Sequence, residues 1–179
     1  ISFSQSNDLP YALFLPTYAA AAWYHKKTNI EEKKLENILP PVEDWALRDY
    51  LTALAQGSAV DRNHKETAAV AISRSAGLAQ DYVLKNNLRV YFGRFCKELL
   101  RDRQQVIGRM DARMTMPDTD AAGEGASGDP SLERLVGVFS GAINHYVRVD
   151  LKFKEDTPYT YLNYAANRAW DWKSGMQSE

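Results

Sequence analysis

Apolar positions along the chain collect in runs, separated by glycine, proline and charged stretches, and most runs carry a helical period. Val42, Trp45, Ala46, Asp49–Tyr50, Ala53 and Leu54 recur at helical spacing, which predicts an amphipathic helix with Gly57 as its left-handed cap. Glu43 and Asp44 fall in its first turn, where negative charge suits the helix dipole. Asp61 to Ala76 predicts a second helix, with Ala68, Ala69, Ile72 and Ala76 inward and Gly77 as its stop. Leu78 to Asn87 predicts a short helical turn. Val90 to Leu100 predicts a third helix, with Phe92, Phe95, Cys96 and Leu99 on one face. Further on, Asp129–Pro130–Ser131 with Glu133 is a helix start signal: a cap, a proline at the first helical position and an early acid. The helix it opens is expected to run from Leu132 to about Val149, with Leu135, Val138, Phe139, Ala142, Ile143, Tyr146 and Val147 as its apolar stripe.

The stretch Asn7–His25, NDLPYALFLPTYAAAAWYH, breaks this pattern by being apolar nearly all round. Asn7 and Asp8 suit a helix cap, and Pro10 suits a first turn, where its missing N–H costs nothing. Pro16 would remove a mid-helix bond and press on the preceding turn, so a break is expected near Leu15. Residues 1–27 are therefore expected to form a kinked apolar element, with a second helix from Pro16 to about Lys27. Its four successive alanines, Ala19 to Ala22, allow close packing. Thr28 to Leu39 is a solvated connector of mixed charge, and Pro40–Pro41 is expected to stop one helix and start another.

The rest is not helical in pattern. Ile1 to Gln5 alternates like a frayed strand end. Arg101 to Met116 loses the helical period and fits a hairpin. Residues 117–130 fit a long surface loop rich in acidic residues and glycine. Leu151 to Asn163 fits an extended piece carrying the Tyr159–Tyr161 pair, and 164–179 a C-terminal tail. The expected fold is mainly α, a single domain over 1–179 with a small β-hairpin or extended pieces.

Composition narrows this picture. With 179 residues, 45% of them hydrophobic, the chain is long enough to bury a core and is not of a disordered type. A net charge of −1 gives no electrostatic footprint for nucleic acid, and no apolar run is long enough to span a membrane, so neither is expected as a partner. Cys96, the single cysteine, excludes an intrachain disulfide and a cysteine-built metal site. The first residue is Ile, which suggests a processed chain or one cut from something longer.

Candidate chemistry is sparse. There is no G-x-S-x-G elbow, phosphate loop or dinucleotide fingerprint. His25, His64 and His145 are far apart, and Cys96 lies on an apolar face where a thiol behaves as a small hydrophobe. The acidic residues of 117–130 lack the spacing of a calcium loop. No metal and no cofactor are expected. Arg109, Asp111 and Arg113 form one compact charged group, read as structural ion pairs.

Several stretches taken together resemble one family. NDLPYALFLPTYAAAAWYHKK, NNLRVYFGRFCKELLRD (86–102), VIGRMDARMT (106–115), the acidic loop with its Asp129–Pro130–Ser131 start, and Trp170–Asp171–Trp172 are similar, in order, to bacterial members of the serine carboxypeptidase family, which has the α/β-hydrolase fold. The resemblance implies that this region is the helical cap inserted into a hydrolase core. The nucleophilic serine would lie upstream and the aspartate and histidine downstream, so no catalytic residue carries over to this chain. It implies partners too: the hydrolase core of the parent chain and, through the parent, a peptide substrate. Asn7, Asp8, Tyr11 and Tyr18 are then the expected cleft-lining residues. The apolar opening helix, left without its core, would favour a homo-oligomer. A bacterial parent of this kind would be periplasmic or secreted. The other reading is a non-catalytic helical interaction module.

Overall fold

The structure, a computed structural model, describes residues 7–160 and 162–171. Ile1 to Gln5, Tyr161 and Trp172 onward lie outside these, and with them the strand-like start, half of each aromatic pair and half of the tail. Among the described residues the fold is mainly α with a single two-stranded sheet, as the pattern predicts. The chain forms two compact units, Ile1–Ser131 and Leu132–Glu179.

In the first unit everything is built on α1 (Leu9–Tyr24). Its buried residues, Pro10, Ala12, Leu15, Tyr18, Ala19, Ala21 and Ala22, occupy more than one face. Against them pack α2 (Leu35–Trp45) and α4 (Arg62–Ala76), and the apolar surface of α1 thus finds most of its cover within this chain. α2 continues through a π-type turn, Ala46–Tyr50, into α3 (Leu51–Gln56). α5 (Gln80–Lys85) and α6 (Phe92–Glu98) follow, then the antiparallel strands β1 (Gln105–Ile107) and β2 (Thr115–Pro117), paired Val106 to Met116.

Two expectations fail at prolines. α1 runs unbroken through Pro16, and α2 runs through Pro40 and Pro41. Pro16 is flanked by Ala12, Leu15 and Ala19, all exposed by 1% or less, so burial holds the helical path although one backbone bond is missing. Asp8 stands at the start of α1 without capping it through its side chain. Its carboxylate instead takes Arg89, Nε to Oδ1 at 2.6 Å and Nη2 to Oδ2 at 2.9 Å. Arg89 also donates to the Leu54 carbonyl, tying the start of α1 to the end of α3.

α4 begins and ends where its signals stand. The Asp61 side chain accepts from the His64 N–H, and Gly77 closes the helix at φ +67°. A Cβ on Gly77 would sit 2.8 Å from the Lys27 carbonyl oxygen, so both conformation and space select glycine there. Gly57 also has a positive φ, but opens a short 3-10 turn and does not adopt the left-handed cap.

The second unit holds most of α7 (Pro130–His145), a π-type turn to Asp150 and a short α8 (Tyr164–Ala169), which the sequence pattern does not foretell. Residues 151–160 are irregular with no strand among them. Past Ser131 no described residue is buried: Leu135, Val138, Phe139 and Tyr146, expected to face inward, are exposed.

Candidate functional site

An apolar cleft of about 230 Å³ opens on the first unit. Phe14, Thr17, Tyr18 and Ala21 of α1 form one wall, and Phe92, Phe95 and Cys96 of α6 the floor. Ile107, Gly108, Arg109 and Ala112 of the hairpin form the other wall. Past Phe92, Cys96, Ile107 and Arg109 it runs into a second recess of about 240 Å³, bounded by Gly93, Ala126, Gly128 and Asp129. The aromatic lining is ordered by ring contacts. Tyr18 stacks on Phe95 with centroids 4.0 Å apart, and Phe14 stacks on Phe92 at 6.1 Å.

Each wall is pinned by polar contacts behind it. The Tyr18 hydroxyl donates to the Val90 carbonyl at 3.2 Å, and burial pushes its pKa well above the usual tyrosine value. Tyr50 does the same from the π-type turn, donating to the Leu88 carbonyl at 2.5 Å. His25, at the end of α1, is buried, and its Nε2 lies 2.7 Å from the Ala112 carbonyl oxygen. Arg103 donates back to the His25 carbonyl. α1 is thereby fastened to the hairpin loop across the cleft. In that loop Gly108 is forced: a Cβ there would lie 2.4 Å from the Asp111 carbonyl oxygen.

The charged group on the hairpin divides. Asp111 binds Arg113, Nη2 to Oδ2 at 2.8 Å, and that contact holds its carboxyl at about 2. Arg109 turns instead to Asp129, with Nε 3.4 Å from Oδ2, while the Arg109 N–H donates to Asp129 Oδ1 at 3.1 Å. Asp129 Oδ1 accepts from Ser131 as well, so the start of α7 and the hairpin share one carboxylate.

Sequence reasoning missed the most deeply placed charge. Lys97 is fully buried on α6, and its Nζ lies 2.5 Å from Oδ2 of Asp118, whose side chain is 1% exposed. Lys97 also donates to the Asp120 carbonyl, and Arg101 to those of Ala121 and Gly123. The contact with Lys97 holds the Asp118 carboxyl below the usual carboxylate range. The acidic loop is thus bolted to α6 and brings Ala126, Gly128 and Asp129 to the second recess. The only signal was a lysine inside FCKELL facing an acidic loop.

Of the expected cleft residues, Tyr18 lines this cleft, Asn7 and Tyr11 are half-buried outside its lining, and Asp8 is committed to Arg89. None of the three histidines lines either recess. Burial pushes the Cys96 thiol up to about 12, with Asp129 adding to the effect, so it is no nucleophile near neutrality. Among the described residues no group of three ligating side chains is placed to hold a metal ion. The cleft is built to receive an apolar group, with Arg109 and Asp129 at its polar rim. Compared with family models, curated proteins and solved structures, the chain matches none.

Proposed function

We propose that this chain is the helical cap of a serine carboxypeptidase-like hydrolase and walls the substrate cleft of its parent. One observation carries the reading. Three of the stretches on which the family resemblance rests supply the whole lining of the apolar cleft: Phe14 to Ala21, Phe92 to Cys96, and Ile107 to Ala112. Stretches far apart in sequence that look alike for one reason also meet at one place. In the parent a serine would attack the peptide carbonyl and a histidine would carry the proton, both from the hydrolase core. The cap would exclude water and shape the apolar side of the cleft.

The test is made on the full reading frame. A fluorophosphonate probe is expected to label the parent at a serine in a G-x-S-x-G elbow upstream of Ile1, and the parent is expected to release C-terminal amino acids. The 179-residue chain alone is expected to do neither. A complete frame without that elbow sinks the proposal, as does peptide turnover by the isolated chain that serine-directed inhibitors abolish. A second reading, a non-catalytic helical interaction module, is favoured by the exposed apolar stripe of α7. It gains if the full frame carries no nucleophile.

A further inference from the structure

The first unit has a second apolar depression, which the proposed cap function does not use. α2 and α4 both pack on α1 but make little contact with each other. The gap between them is a recess of about 500 Å³, flanked by Ile38, Pro41 and Val42 on α2 and by Val70, Ala71 and Arg74 on α4. Past Trp45 and Thr67 it continues into a recess of about 250 Å³ that reaches Asp49, Gln56 and His64. The two form one groove. Its walls run antiparallel, because early α2 faces late α4 at one end and the segment after α2 faces early α4 at the other. Val70 stands 50% exposed on its wall.

The charge pattern is directional. Arg74 marks one end and Asp49 the other. Among the described residues neither side chain has an ion-pair partner, whereas the neighbouring charges are engaged: Arg48 with Asp44, Arg62 with Glu66, His64 with Asp61. From His64 to Arg74 is ten residues of helix, about 15 Å of groove at 1.5 Å per residue. That length fits about three turns of a docked helix. An extended peptide fits less well: the walls are helices whose N–H groups are bonded internally, so they would leave the peptide backbone unpaired. A second copy of the same face fits poorly as well, since a groove set against a groove leaves both unfilled.

We propose that the α2–α4 groove docks an amphipathic helix of about 12 residues from a partner protein, with an acidic residue at Arg74 and a basic residue at Asp49. An acid in the first turn and a base in the last turn also suit a helix's own dipole. The bound helix therefore enters N-terminus first at the Arg74 end and runs parallel to α2.

The probe is a labelled 14-residue helical peptide with leucines at i, i+3, i+4 and i+7, glutamate in its first turn and lysine in its last. Its binding to the 179-residue chain is followed by fluorescence anisotropy at low salt. Binding is expected, and Val70→Asp is expected to abolish it. Arg74→Glu is expected to weaken it about threefold to fivefold, and replacing the peptide's glutamate by lysine to restore it. Both residues are exposed, and an unchanged circular dichroism spectrum excludes misfolding as the cause. Absence of binding overturns the proposal. So does binding indifferent to Arg74→Glu, or sedimentation showing that Val70→Asp breaks a dimer of this chain.

Discussion

Lys97 and Asp118 put the strongest constraint on any single side chain. A buried ammonium and carboxylate tolerate each other, but either one left alone is a buried charge that has lost its counter-charge. Lys97→Met is therefore expected to lower the thermal midpoint by about 5–10 °C although it adds apolar bulk. Asp118→Asn adds a pH signature. The folded carboxyl lies below its unfolded value of about 3.9, so its contribution is complete above about pH 4 and is lost as pH falls through the folded value. Thermal midpoints of the wild type and Asp118→Asn should differ clearly at neutral pH and converge below about pH 4. A gap that stays constant from neutral to acid pH would show that Lys97 does not act through this carboxylate. None of this was legible beforehand, because a lysine in a helical run is usually solvated and only the fold brings a distant loop to it.

For whole elements, local signals worked where backbone chemistry decides and failed where burial does. Asp61, Gly77 and Asp129–Pro130 mark real helix ends because capping groups and a positive φ act within a few residues. Pro16, Pro40 and Pro41 are equally strong local signals, yet α1 and α2 pass through them. The deciding term there is long-range: α1 is held along its length by α2 and α4, and that contact outweighs the lost bonds. Pro16→Ala tests this. It supplies the missing N–H to a helix already in place and gives up part of proline's restriction of the unfolded chain. The net expectation is a gain of about 1–2 kcal/mol in urea unfolding. A loss of stability would mean that α1 depends on proline geometry at this point. The cleft was half legible for the same reason. Tyr18 and Arg109 could be singled out by type, but what surrounds them is supplied by α6 and the acidic loop.

On the scale of the molecule, the two units differ in kind. The first buries an aromatic and aliphatic core from Ala12 to Ile107. The second buries none of its described residues, and α7 turns Val138 at 70% and Phe139 at 53% exposure outward. The helical period of α7 told correctly that it is amphipathic, but period alone cannot say whether a partner is present. Burial is the main source of helix stability in a protein, so α7 rests on propensity and its own hydrogen bonds, while α1 has the whole core behind it. Native-state hydrogen exchange of the 179-residue chain should therefore show α1 amides as the slowest and α7 amides as markedly faster. The exposed stripe should also bind an apolar dye or drive self-association. Phe139→Glu should reduce that signal while changing unfolding free energy by no more than about 0.5 kcal/mol. Protection of α7 equal to that of α1 in a chain shown to be monomeric would contradict this division. Protection that appears only when a hydrolase core is added would identify what the stripe is made to meet.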